Sequence, residues 1–312
     1  MKLFAHGKVF LAGEYAVLDG GPALVAGIDR HLHASAGPAS RLQIVRSGLL
    51  WDGGPAPEEL RFAARAARIC GEPPVRLVYE DELPKGLGSS AAATIIAVRA
   101  MRPEASDDDV LSLAVAAHWA EQGGSGSGAD VAASALGGVI EVRSRIPFRS
   151  VEEAMTSPPR RSLDVDRVGV PSDLRLLLAD TGRAADTRKL VREVRAFAAG
   201  EPRRWNAIAE RLSSSARSLR SALETGAREE ALHAVRSAAA DLAALGEQAG
   251  APIVIEELVR ICALAASAGA AGKPSGAGGG DYAVIFCFGD EVRDRTEAAL
   301  KPHFPVMRIS PA

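Results

Sequence analysis

The sequence predicts an α+β protein built in two lobes, and three observations carry that prediction. The chain has 312 residues, where a domain usually takes about 100–200. Strand-like runs cluster with helices inserted between them, without the steady strand–helix alternation of a parallel α/β sheet. A proline- and arginine-rich stretch at 144–172 separates a first segment, 1–170, from a second, 171–312.

Residues 3–11 and 15–18 alternate or run apolar around Gly13-Glu14, as the arms of a hairpin do. Leu24–Ile28, His31–Ala36 and Leu42–Val45 are short strands, punctuated by Gly20-Gly21-Pro22 and Gly37-Pro38. Residues 57–70 form a helix with Phe62, Ala66 and Ile69 on one face. Val75–Glu80 alternates as a strand, and Gly86-Leu87-Gly88-Ser89-Ser90 then opens a helix over Ala91–Met101. Asp107–Glu121 is the next helix, ended by the run Gly123–Gly128. A further helix starts near Asp130, before a strand at Val139–Arg143. The stretch 144–172 reads as a loop. Leu174–Ala179 is a strand, followed by helices at about 186–199, 202–224, 228–248 and 252–267. Gly276–Gly280 precedes a strand at Asp281–Phe288. A helix near 290–301 and a strand at 305–309 come last. No period of about 20–50 residues repeats.

Composition narrows the function. Hydrophobic residues at 47% and charged residues at 24% are ordinary for a globular chain and exclude disorder. The formal charge, 37 − 39 = −2, offers no basic excess for nucleic acid or an anionic membrane. The longest uncharged stretches, Gly86–Val98 and Ile261–Gly272, are shorter than the ~18 apolar residues of a membrane span. Lys8 and Glu14 interrupt the hydrophobic N-terminus, which reads as a strand and hairpin and not as a signal peptide. Cys70, Cys262 and Cys287 are odd in number and widely spaced in apolar contexts. They are expected to be core thiols of a cytoplasmic protein. The six histidines form no metal-spaced helical pair, so no catalytic zinc is expected.

Of the 37 basic residues only six are lysine: Lys2, Lys8, Lys85, Lys189, Lys273 and Lys301. Where arginine is so favoured, a lysine hints that a compact ammonium is wanted. Three of the six, Lys8, Lys85 and Lys273, adjoin glycine-rich segments.

Those segments, Lys85–Ala92, Gly123–Gly128 and Lys273–Asp281, are too rich in glycine for packing alone. Glycine lets backbone N–H groups converge without Cβ obstruction, and a helix starting there adds its dipole, so a phosphate fits. Three nucleotide-site readings compete. A Walker A loop fails, because Gly272-Lys273 is followed by Pro274 and lacks the preceding glycine. A dinucleotide fingerprint is formally matched by Gly86, Gly88 and Ala91. Its sequel, a parallel strand ending in an acid, is replaced by a polar turn at Glu104–Asp109. A phosphate loop whose serines also serve a metal explains both hydroxyls. A tight turn with a serine cap is the plain structural alternative.

Lys8-x-x-x-x-Gly13-Glu14-Tyr15, the loop Gly86-Leu87-Gly88-Ser89-Ser90-Ala91-Ala92, and Lys273-Pro-Ser-Gly-Ala-Gly-Gly-Gly-Asp281 resemble, in order and spacing, the three motifs of the GHMP small-molecule kinases. Within that family the segments GEYAVLDGGPAL, KPSGAGGGD and Thr181–Val191 are most similar to the phosphomevalonate kinase branch. Asp186 stands where that branch usually has serine, and Pro84 is closer to the loop than is usual. The resemblance implies a two-lobed fold: an N-terminal α/β nucleotide-binding domain (1–170) and a C-terminal ferredoxin-like α+β domain (171–312).

It also implies ATP and Mg2+ as cofactors and small molecules, ATP and 5-phosphomevalonate, as partners. Lys85, Gly86, Leu87, Gly88, Ser89, Ser90 and Ala91 would hold the ATP phosphates, with Ser90 and Glu121 facing magnesium. Lys8 and Asp130 would be the catalytic pair. A phosphate monoester has a second pKa of about 6 and is mostly ionised at neutral pH, so Lys8 matters more than a general base. Asp130 also suits an N-cap. Tyr15, Ser125, Ser127, Thr187 and Lys189 would contact the acceptor, together with Ser275, Gly276, Ala277, Gly278, Gly279 and Asp281. Two alternatives stand beside this reading: a GHMP kinase with a hydroxyl acceptor, such as mevalonate kinase, and a ligand sensor without transfer.

Overall fold

Strand β2 explains most of the architecture. Its start, Pro-Ala-Leu-Val-Ala-Gly-Ile, is apolar at successive positions because both faces are buried. Ala23 and Val25 point into one core, while Leu24, Ala26 and Ile28 point into another. A computed structural model of the chain describes residues 1–157 and 162–312. In chain order its first elements are β1 (Lys2–Ala12), a 3-10 turn (Ala16–Asp19), β2 (Pro22–Pro38), β3 (Gln43–Arg46) and β4 (Leu49–Trp51). There follow α1 (Arg61–Ile69), β5 (Val75–Tyr79), α2 (Ser89–Met101), α3 (Asp107–Glu121), α4 (Ala129–Leu136), β6 (Gly138–Ser144), α5 (Val151–Thr156) and β7 (Leu163–Arg167).

These strands form one sheet in the order β4-β3-β5-β2-β6-β7, with β1 paired antiparallel to β2. Among the described residues only the β3–β5 pair is parallel. Helices α1–α4 cover one face. Helix α2 lies between α1, α3, α4 and the sheet, so it is apolar nearly all round, with Ala91–Val98 all buried. Helix α3 begins where Ser106 accepts from the Asp109 N–H at 3.2 Å, with three aspartates in its first turn complementing the dipole.

The second half contains β8 (Leu174–Asp180), α6 (Thr187–Gly200), α7 (Pro202–Thr225), α8 (Arg228–Ala249), α9 (Glu256–Ser267), β9 (Ala271–Pro274), β10 (Tyr282–Phe288), α10 (Asp290–Leu300) and β11 (Val306–Ile309). Its antiparallel sheet has the order β11-β8-β10-β9. This is the order of the ferredoxin-like motif, with the helices α6–α9 inserted after its first strand. Alternation again sorts the faces. Leu176, Leu178, Val284 and Phe286 join the core shared with β1, β2, α7 and α8, while Leu177, Ala179, Ile285 and Cys287 pack under α9 and α10. The two halves therefore meet through a common apolar core.

Several elements differ from the sequence reading. Residues 15–18 are not a hairpin arm: Tyr15 adopts φ 62 and the chain folds back at once into the 3-10 turn Ala16–Asp19. The two short strands at 24–28 and 31–36 are one strand, β2, with the irregularity taken up as a register shift opposite His6/Gly7. The helix expected at 57–70 starts at Arg61. The stretch 144–172 is not all loop: it holds α5 and β7, with its residues 158–161 outside the described residues. Strand β9, Ala-Gly-Lys-Pro, went unread because glycine and proline are weak strand formers. It is an edge strand, where proline is tolerated. Among the described residues no helix is long and apolar enough to cross a membrane.

Candidate active site

The outer edge of β1, the side not paired with β2, is where the glycine-rich segments assemble. The Lys8 N–H donates to the Leu87 carbonyl at 2.8 Å. Ser275 Oγ accepts from the Phe10 N–H at 3.1 Å and donates to the Phe10 carbonyl at 3.3 Å. Unpaired strand groups are thus satisfied by the phosphate-loop candidate and by the third motif. Leu87 is the loop's anchor, fully buried in the core shared by both halves.

The loop is shaped around Lys8. Gly88 has φ 85, and a Cβ there would stand 2.6 Å from Lys8 Cγ. Lys8 Nζ donates to the Gly86 carbonyl at 3.3 Å. Burial pushes the Lys8 ammonium below the ordinary lysine range, while the carboxylates of Asp130, Asp281 and Glu14 act in the opposite direction. Gly86 lies against Asp281, whose Cβ would be 3.0 Å from an added methyl. Asp281 itself has φ 52 and accepts from the Ala185 N–H at 3.3 Å.

Where β1 ends, Gly13 makes the turn; a Cβ would fall 2.1 Å from the Pro22 carbonyl oxygen. Glu14 and Lys273 form a buried ion pair, 3% and 0% exposed at their side chains. Lys273 also donates to the Pro274 carbonyl. The hint that Lys273 marks a phosphate contact is therefore corrected: its ammonium ties the third motif to the first, out of reach of solvent. Tyr15 holds a left-handed backbone, a strain of order 1–3 kcal/mol. Its ring is locked in the core with Leu190, Val194 and Trp205, and its hydroxyl donates to the Ala277 carbonyl at 2.6 Å. Burial pushes the phenol pKa well up, so it remains a donor.

The second site layer comes from α3 and α4. Asp130 is the second residue of α4, whose N-cap is Gly128 and not Asp130 as the sequence suggested, and it accepts from the Val131 N–H at 2.9 Å. Its other oxygen is 3.7 Å from Nε2 of His118, and that nitrogen is 3.2 Å from Ser90 Oγ. His118 is 1% exposed and stacks on Phe62, ring centroids 4.8 Å apart. Burial lowers its pKa, Asp130 opposes that, and the imidazole is held neutral. The other loop serine, Ser89, is held by Arg46, a buried guanidinium that also grips both Glu82 oxygens, at 2.9 and 3.2 Å from its Nε.

Lys8, Tyr15, Lys85, Gly86, Gly88, Ser89, Ser90, Ser125, Ser127, Asp130, Thr187, Ser275, Gly276, Ala277, Gly278 and Asp281 all line one cleft of about 470 Å³. Five expected residues do not. Leu87 and Ala91 are buried. The Gly279 N–H is used on the Ile253 carbonyl at 2.7 Å. Lys189 is exposed, 3.8 Å from Glu193 on the same helix. Glu121 is paired with Arg65 at 2.9 Å. Three hydroxyls that do line the cleft are engaged: Ser275 on Phe10, Ser125 on the Gln122 carbonyl, and Ser127 with the Ala129 N–H. The sequence reading missed His118, Arg46, Arg61 and Arg188, the last two lining the cleft. A histidine inside the apolar run Ala114–Ala120 was the one available signal; isolated arginines in so arginine-rich a chain carry none.

Among the described residues no group of three His, Cys, Asp or Glu side chains is placed to hold a metal. Magnesium carried on nucleotide phosphates keeps most of its waters and takes only one or two protein oxygens, and the Ser90 hydroxyl lines the cleft beside the loop.

Known proteins resemble this chain in sequence and in fold. The family model described as the GHMP kinases N terminal domain matches residues 60–138. A phosphomevalonate kinase of Streptomyces sp. (strain CL190) is 32% identical, over 94% of this chain and 91% of its own length. Among solved structures, the Lin0012 protein of Listeria innocua superposes with a TM-score of 0.85 at 26% identity, covering 100% of this chain and 99% of its own. A Streptococcus pneumoniae phosphomevalonate kinase, solved with phosphomevalonate and AMPPNP, gives a TM-score of 0.87 at 19% identity and covers both chains in full.

Proposed function

The chain belongs to the GHMP kinase family, and from that premise we propose that it transfers the γ-phosphate of ATP to 5-phosphomevalonate, yielding mevalonate 5-diphosphate and ADP. The observation that carries this reading is the convergence of Lys8, the Gly86–Ser90 loop at the start of α2, and the third motif on one cleft. The Streptomyces relative supports the choice of acceptor.

The chemistry follows from the side chains. An oxygen of the acceptor's phosphate attacks the γ-phosphorus. A new P–O–P bond forms, the β–γ bridging bond breaks, and ADP departs with the electron pair. The protein's part is to position two anions and to stabilise the charge on the equatorial oxygens. The backbone N–H groups of Gly88, Ser89 and Ser90, at the start of α2, and the helix dipole favour the nucleotide phosphates. Magnesium, when bound with ATP, neutralises part of their charge, and Ser90 would hold it. Lys8 lies between the loop and Asp130, where its ammonium cancels repulsion between donor and acceptor. The acceptor is already ionised, so Asp130 need not remove a proton; its charge opposes the effect of burial on the Lys8 ammonium.

Residues 1–170 and 171–312 are read as the two lobes, supported by one sheet ending at Arg167 and the next beginning at Leu174. A cytoplasmic setting is supported by the three free thiols. The test is ADP release from Mg-ATP with 5-phosphomevalonate and, separately, with mevalonate. Release is expected with the phosphate monoester alone. Turnover of mevalonate without turnover of 5-phosphomevalonate would overturn the proposal and make Asp130 a general base.

A further inference from the structure

At the mouth of the cleft one carboxylate oxygen serves two arginines. Glu58 Oε1 is 3.0 Å from Arg61 at the start of α1 and 3.4 Å from Arg188 in the first turn of α6. Both arginines line the cleft with Lys8 and Lys85, and they come from opposite halves of the chain. We propose that Arg61 and Arg188 form a clasp for a phosphate group of a substrate, and that Glu58 is the stand-in anion the phosphate displaces. The proposal rests on the reading of the cleft as a kinase site.

Three physical points support it. Glu58 and Arg188 are 71% and 59% exposed, and an ion pair that solvent screens on both sides is weak, so the stand-in is easily exchanged. A phosphate brings roughly two charges and three acceptor oxygens, which arginine forks match in pairs where one carboxylate oxygen does not. Arg61 is also poised for a second contact. Its guanidinium lies over the Phe62 ring at 4.9 Å, and its Nε is buried without a partner among the described residues. Phe62 in turn stacks on His118, which contacts Ser90, so the clasp is mechanically joined to the phosphate loop. Filling it would draw α1 and α6 together across the cleft.

The phosphate belongs either to the nucleotide or to the acceptor, and equilibrium binding separates the two. Calorimetric titration of Mg-AMPPNP and of 5-phosphomevalonate is done on the wild type, Arg61→Gln, Arg188→Gln, the double variant and Glu58→Gln, each checked for folding by its thermal melt. Both single arginine variants are expected to weaken the same ligand by about tenfold or more, leaving the other within twofold. The double variant loses less than the product of the two, because one group is held by both. Glu58→Gln is expected to tighten that ligand. Two results overturn the clasp: arginine variants that bind both ligands as the wild type does, or a Glu58→Gln protein weakened like them. If the wild type itself binds neither ligand, the kinase reading fails and the clasp falls with it.

Discussion

Replacing Lys273 by methionine keeps the length of the side chain and removes its charge at a position with no access to solvent. Glu14 is then left 3% exposed, with Oε2 unpartnered and Oε1 retaining only the 3.4 Å contact from the Gly276 N–H. Removing one member of a buried ion pair costs about 3–5 kcal/mol, because the remaining charge stays desolvated. At roughly 2–4 °C per kcal/mol for chains of this order of size, the melting temperature should fall by about 6–20 °C. Removing the second charge as well, in Glu14→Gln/Lys273→Met, should restore at least half of the loss. Urea unfolding of the four proteins of this cycle, followed by circular dichroism and tryptophan fluorescence, measures it. A Lys273→Met protein within about 1 kcal/mol of the wild type, or single effects that simply add, would refute the reasoning.

Three further outcomes are expected. Gly88→Ala places a methyl 2.6 Å from Lys8 Cγ at φ 85, so Lys8 must move; the strain is of order 1–2 kcal/mol and kcat should fall at least tenfold in the ADP-release assay. Arg46→Ala frees Ser89 and Glu82, and the KM for ATP should rise about tenfold with little change for the acceptor. For His118, burial lowers the folded pKa below 6.5 despite Asp130 and Glu121, with Lys8 and Arg61 reinforcing the shift. The unfolded chain therefore binds more protons than the folded one between that lower value and about 6.5. Its contribution to stability is complete above that window and is lost as pH falls through it. His118→Gln should flatten this acid loss in urea midpoints taken without nucleotide or metal.

Local chemistry made part of this site legible. The Gly86–Ser90 loop and the start of α2 were readable because glycine, serine and an alanine-rich helix announce themselves within a few residues. Most strands were readable in outline from alternating or continuous apolar runs. What escaped depends on contacts between distant segments. Lys273 looked like a phosphate lysine until the fold placed Glu14 beside it, 259 residues away. Glu121 looked available until α1 supplied Arg65. Tyr15 was read as strand because its apolar neighbours alternate; only packing against α6 and α7 explains its left-handed turn. Arg61 and Arg188 have no local pattern, and only a shared carboxylate reveals them.

The bond between Ser275 and Phe10 spans 265 residues and has a consequence for synthesis. At a translation rate of about 5–20 residues per second, the outer edge of β1 at Phe10 waits on the order of 10–50 s for its cap, after Leu87 has already covered Lys8. An uncapped edge strand is a template for pairing with other chains. A nascent polypeptide that has not yet reached Ser275 therefore carries an open strand edge beside an incomplete cleft, and residues 273–281 close both at once.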